Sequence, residues 1–275
     1  MGNLWKGFKE HRTFRFTSLL VILLIALVVL APVIAPYNPL EAVMKDANQA
    51  PSMAHLFGTD KLGRDVLSRI LYGGAYSLSS VLALVAIIFC VGTFLGLVAG
   101  YFGGLIDTVI MRIADMMISF PGVILAIAIA GIMGGSLVNA MIALTAVTWT
   151  KYARLSRSMV LKIRKRDFVD AAIVSGGTSS HILWTHIMPN VVPILVITAV
   201  SDIGAMMMEL AGLSFLGFGS QPPAPEWGLM LNEGRQQLQT APWLMVFPGL
   251  AIFISVVIFN LWGDALRDVL DPRDN

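Results

Sequence analysis

The sequence predicts an all-α, polytopic membrane protein with six transmembrane helices, and three observations predict it. Of 275 residues, 56% are hydrophobic and only 13% charged, with a mean hydropathy of +0.77, too apolar for a soluble domain of this length. The apolar residues fall into long runs separated by shorter polar stretches. Lys and Arg are also unevenly shared among those stretches, as the positive-inside rule requires of a multi-pass protein. The single cysteine, Cys90, lies in an apolar run, so the chain builds neither a disulfide framework nor a thiolate metal site.

Residues 1–36 are read as a cytoplasmic N-terminus and the first span. Lys6, Lys9, Arg12 and Arg15 precede an uncharged run from Phe16 to Leu40. Its ~20 apolar residues suffice to cross a hydrocarbon core of ~30 Å and exceed a signal peptide's apolar region, so the helix is expected to be retained and to end near Pro36. Residues 37–72 form an external, turn-rich segment with Pro39, Pro51 and the run Gly58-Thr59-Asp60-Lys61-Leu62-Gly63-Arg64-Asp65. Within it Asp60, Arg64 and Asp65 either cap and pair inside the loop or contact substrate.

Residues 73–275 are expected to hold five further spans. No charge occurs between Arg69 and Asp107, which places the second span at about Ser77 to Ala99, and Gly92, Gly96 and Gly100 set small residues on one face for close helix packing. The third runs from about Leu105 to Met133, with a kink at Phe120-Pro121-Gly122 and Arg112 and Asp115 spaced to pair. The fourth begins near Val138 and continues past Trp149 through Lys151, Arg154 and Arg157.

Residues 162–189 then form the longest charged interruption. Lys162, Arg164, Lys165 and Arg166 place it in the cytoplasm. Periodicity suggests two short helices, with Phe168, Ala171, Ala172 and Ile173 apolar on the first and Ile182, Leu183, His186 and Ile187 on the second. Gly176-Gly177 breaks them apart, and Pro189 suits the first turn of the fifth span.

That span, to about Gly212, contains Asp202 and Glu209, seven apart and hence on one face. Asp202 lies roughly 20 Å along at ~1.5 Å per residue. Acids in a membrane helix face protein or water, so both are candidates for a polar pathway, with a bond to a neighbouring subunit as the alternative; Met206 lies between them. Met206, Met207 and Met208 diverge around a helix, which favours packing over a soft-metal site. Residues 213–243 return to the outside with Phe215, Phe218 and Trp227 among glycines and prolines, and the sixth span covers about Leu244 to Trp262. With both termini inside, cytoplasmic segments hold fourteen of the nineteen Lys and Arg residues; Lys45, Lys61, Arg64, Arg69 and Arg235 lie outside.

The cytoplasmic elbow resembles the coupling loop of ABC-importer permeases, whose pattern is Glu-Ala-Ala, three residues, Gly, nine residues, an apolar residue, any residue, Leu-Pro. Here Asp170-Ala171-Ala172, Gly176 and His186-Ile187-Met188-Pro189 stand at those spacings, with Asp170, His186 and Met188 departing from the pattern. GTDxxGRD at 58–65 and GDALRDxLDP at 263–272 resemble signatures of the dipeptide, oligopeptide and nickel importer permeases, and the likeness extends from about Pro36 to Arg273.

The resemblance implies a type I ABC importer permease fold in a bacterial cytoplasmic membrane, surrounded by lipid. It implies a second homologous permease forming a heterodimer, two cytosolic ATPase subunits engaged by residues 162–189, and an extracytoplasmic substrate-binding protein facing a gate at 213–243. The substrates it implies are nickel, or a nickel chelate, and di- or oligopeptides; Asp202 to Met207 looks more like the nickel branch. No nucleic acid partner, cofactor or bound metal is expected. The chain has no GxxxxGK[ST], HExxH or nucleophile elbow, so ATP hydrolysis is expected on separate subunits. The competing reading is a stand-alone secondary transporter or channel that uses the intramembrane acids, although internal duplication of the kind such carriers show is not visible.

Overall fold

In a computed structural model, residues 11–270 are described, and they are helical, with one isolated antiparallel bridge between Thr59 and Asp65. Lys6, Lys9, Asp271, Pro272 and Arg273 lie outside the described residues. The first helix, α1 (Arg12–Val29), packs mainly on the last one and, through Val28 beside Gly74, on the helix that begins at Val66, and most of its surface is exposed. Pro32 starts a short turn, α2 (Ala31–Ile34), and the chain then runs through turns and one 3-10 turn to Asp65.

Helix α3 (Val66–Phe102) begins eleven residues before the expected second span, because Asp65 caps it by accepting from the Ser68 amide. At ~1.5 Å per residue it is roughly 55 Å long, so about half of it projects beyond a ~30 Å hydrocarbon core. The predicted glycine stripe docks on α6 (Leu137–Ile163). A Cβ on Gly92 would come within 2.5 Å of the Trp149 carbonyl oxygen, and one on Gly96 within 2.3 Å of that of Ala153. This is the most extensive helix pair of the molecule.

The predicted third span is two helices, α4 (Gly104–Ile118) and α5 (Gly122–Met133), bent by 93°. Pro121 forces Phe120 out of helical geometry and has no N–H to continue the ladder, so the break is a corner where a kink was expected. The expected Arg112–Asp115 pair is replaced by two contacts to α6: Asp115 binds Arg154, and Asp107 binds Arg157. Charges on two helices that cross can meet face to face, whereas neighbours on one helix must share a side.

The elbow follows as α7 (Asp167–Val174) and α8 (Ser179–Ile182), which passes through a π-helical turn at Leu183–Ile187 into α9 (Met188–Phe215). The short α10 (Trp227–Gly234) and the long α11 (Trp243–Leu270) close the fold. Four helices are long and apolar enough to cross a membrane, or five if the bent pair counts as one span. Helix α6 has 27 residues, but Lys151, Arg154, Arg157 and Lys162 make its second half polar, so the described helices are compatible with the expected six spans. The core runs between α3, α6, α9 and α11, around Leu84, Ile88, Leu144, Tyr152, Leu195 and Met207.

Candidate functional site

Three zones are strung along α9. At its N-terminal end the elbow turns on Gly176, whose φ of +80° favours glycine. Thr178 then caps α8 by accepting from the His181 amide. Val169, Ile182, Leu183 and Ile187 point inward and are buried. The periodicity had grouped Phe168, Ala171 and Ile173 as the apolar face of α7, but these are exposed, and Val169 is the anchor. A helix of eight residues has little more than two turns, so its inward side is chosen by the hydrophobic surface behind it and not by its own pattern. Asp170, Ala171, Gly176 and Pro189 are exposed, while Ala172 and His186 are half-buried. The outward surface also carries Val174 and Trp184.

In the middle of α9, Asp202 is engaged: Lys151 Nζ donates to both of its oxygens at 2.7 Å, and the Tyr152 hydroxyl donates to Oδ2 at 2.9 Å. A cavity of about 480 Å³ adjoins this pair, lined by Lys151, Thr198, Ser201, Asp202 and Arg267. Glu209 is half-buried two turns further along. Met206 and Met207 are buried in the core, while Met208 is exposed.

At the far end, α9 finishes at Phe215, and Gly217, with φ +93°, reverses the chain so that the Phe218 amide donates to Leu213. Phe218 lies against α5, where a Cβ on Gly131 would sit 3.5 Å from its ring. Glu226 caps α10, accepting from the amides of Gly228 and Leu229 at 2.8 and 2.9 Å. Its burial raises the carboxyl above the ordinary glutamate range, and these N–H donors together with the Ser214 and Ser77 hydroxyls pull it partly back. Trp227 is buried, with its backbone N–H on the Ser77 hydroxyl and its indole N–H on the Ile70 carbonyl. Gly73 and Gly74 make the notch that admits it: a Cβ on Gly73 would lie 2.0 Å from the Pro225 carbonyl oxygen. Sequence reading did not single out this pair, although two adjacent glycines at the start of an apolar helix are the signal for a close approach.

The GTDxxGRD stretch forms the platform beside this zone. Asp60 Oδ1 accepts from the amides of Leu62 and Arg64, and Oδ2 from Arg64 Nε at 2.6 Å. Gly63, at φ +75°, passes so close to Val43 that a Cβ would meet its carbonyl oxygen at 1.9 Å. Asp65 accepts from His55 Nδ1 as well as capping α3. Asp60, Arg64 and Asp65 are buried; Asp60 and Asp65 are paired within the platform, and Arg64 also reaches Glu233 on α10.

A family model described as binding-protein-dependent transport system inner membrane component matches residues 92–274. Another, the N-terminal TM domain of oligopeptide transport permease C, matches residues 1–51. The chain is 42% identical to the glutathione transport system permease protein GsiD of Pectobacterium atrosepticum, covering 98% of this chain and 90% of that protein. It is 40% identical to the dipeptide transport system permease protein DppC of Alkalihalophilus pseudofirmus, over 98% and 88% of the two chains. With the nickel transport system permease protein NikC of Escherichia coli the identity is 43%, over 93% of each. A solved chain of the inward-facing MetNI methionine ABC transporter aligns with a TM-score of 0.55 at 19% identity, covering 71% of this chain and 93% of that one, which is a likeness of fold.

Proposed function

The chain belongs to the family of binding-protein-dependent transport system inner membrane components, and we propose that it imports nickel, a nickel chelate or a di- or oligopeptide by alternating access. As a permease of an ABC importer it is a multi-pass, non-enzymatic subunit, with ATP hydrolysis on separate subunits and a substrate-binding protein as partner. Its neighbours in the membrane are a second, homologous permease and lipid, and both termini face the cytoplasm, where most of its Lys and Arg residues fall.

One observation carries the mechanism. Ser179–Phe215 is a continuous helical rod of 37 residues, roughly 55 Å long at ~1.5 Å per residue. It begins in the elbow, passes Asp202, Met206 and Glu209 and ends at Phe215. An ATPase that grips the exposed face of Asp170, Ala171, Ala172 and Gly176, with His186 and Pro189 at the base, therefore moves a lever fused to the gate around Phe215, Phe218 and Trp227. Rigid-body motion of this kind is how closure at one site opens a passage at another. Acids along the rod suit a solute with a positive end, whether a metal cation or a peptide amine.

Deleting Asp170-Ala171-Ala172 tests the lever: uptake should vanish with the transporter still assembled, and a self-sufficient carrier would stay active. Uptake of nickel and of dipeptides by cells with and without this chain tests the cargo. Equal accumulation of both in the two strains sinks the assignment.

A further inference from the structure

The platform and the gate helix α10 share a buried ionic network that the transport mechanism above does not use. We propose that Glu233 is a positioning residue: with Asp60, Arg64 and Arg69 it latches α10 to the 58–69 platform, so that the two move as one piece when the gate opens. The proposal rests on reading residues 213–243 as the external gate.

Glu233 lies 169 residues from Arg64 and 164 from Arg69 in the chain. Arg64 Nη2 donates to both Glu233 oxygens at 3.1 and 3.2 Å, and Arg69 Nη2 donates to Oε2 at 2.8 Å. On the opposite side both arginines hold Asp60. Arg69 is 1% exposed and Arg64 3%, so neither guanidinium has water to fall back on. Two carboxylates and two guanidiniums leave the cluster neutral. Lifting α10 off the platform would strand two buried cations with one acid, the arrangement in which a buried pair costs most. The buried Arg69 Nε makes no hydrogen bond within the cluster.

The other end of α10 is tied to α3 through Trp227 and Ile70 and through Glu226 and Ser77. Latching at both ends leaves the freedom of the gate in the 216–225 loop, where Gly217 turns with positive φ.

The test uses the complete transporter in proteoliposomes, in a Cys90→Ser background. Lys61→Cys and Arg235→Cys place thiols on exposed residues flanking the network, to be joined by a flexible bis-thiosulfonate linker. The latch predicts that the linked protein still imports substrate. Loss of import on linking, recovered on reduction, overturns it, as does failure of the thiols to join during turnover.

In a second arm, Glu233→Gln should lower maximal uptake by about tenfold or more with the half-saturating concentration unchanged, and abolish stimulation of ATP hydrolysis by the loaded binding protein. Normal uptake by this variant overturns the latch. Unchanged import by Phe218→Ala would instead remove the gate reading and leave the two latch outcomes legible.

Discussion

The indole N–H of Trp227 donates to the carbonyl of Ile70 across 2.9 Å, joining positions 157 residues apart in the chain. The bond is possible because Gly73, one turn along α3 from Ile70, has no side chain where the gate segment crosses. The segment around Pro225 and Trp227 is thus seated in α3, and α9 packs on it through Ala211 and Ser214.

Gly73→Ala is expected to displace Pro225 and Trp227, since the added carbon would lie 2.0 Å from a backbone oxygen that has no rotamer to escape into. A loss of about 1–3 kcal/mol is expected from overpacking of this kind. Thermal unfolding in detergent, read with uptake, checks it; a variant as stable and active as the parent would mean that the notch is not occupied.

Gly96→Ala should be as harmful, by about 1–3 kcal/mol, because its Cβ would approach the Ala153 carbonyl oxygen to 2.3 Å where α3 crosses α6. Gly103→Ala is the control, because open space surrounds that glycine. Its cost should come only from the backbone, whose φ of +65° and ψ of −155° lie in a region held almost only by glycine, about 1–3 kcal/mol. Unfolding midpoints of the two variants compared at one pH separate crowding from backbone strain, and equal sensitivity to a further enlargement to Val would contradict the contact.

Glu226 supplies a dependence on pH. Its folded carboxyl titrates above the ordinary range because burial disfavours the charge. Its contribution to stability is therefore full below the unfolded glutamate value and is lost as the pH rises through the raised folded one. The melting temperature of the parent minus that of Glu226→Gln should fall across that window, and a flat difference would refute the assignment. Glu226→Ala should cost about 1–2 kcal/mol below that window, through loss of the α10 cap, and less above it.

Lys151 and Asp202 form an ion pair whose lysine is 54% exposed, so a double-mutant cycle with Lys151→Met and Asp202→Asn should give a coupling below about 1 kcal/mol. Asp202→Asn keeps an acceptor for the Tyr152 hydroxyl. If α9 lines the pathway, this variant and Glu209→Gln should reduce uptake by much more than their stability accounts for. Wild-type uptake in both would exclude the two acids from the route.

Much of the elbow was legible before any coordinates. Gly176 breaks it and Pro189 stands in the first turn of the helix that follows, both through effects that act within a few residues. The face that α7 turns inward was not, because Val169 is selected by the surface it meets. The Arg112–Asp115 expectation failed for a related reason. Spacing along a helix says which side chains are able to meet, but Asp115 pairs with Arg154, on a helix that only folding brings near.

By itself the sequence determined that this is an α-helical membrane protein, roughly where its spans run, and that residues 162–189 form a broken helical elbow. Hydropathy, charge placement and the backbone limits of Gly and Pro are local properties, so they can be read along the chain. Tertiary structure alone decided that Pro121 makes a 93° corner, that Gly73 receives the gate segment, and that Arg64 and Arg69 close on Glu233. Those outcomes depend on which distant surfaces come into contact, and a pairing across more than 160 residues leaves no periodic trace in either partner.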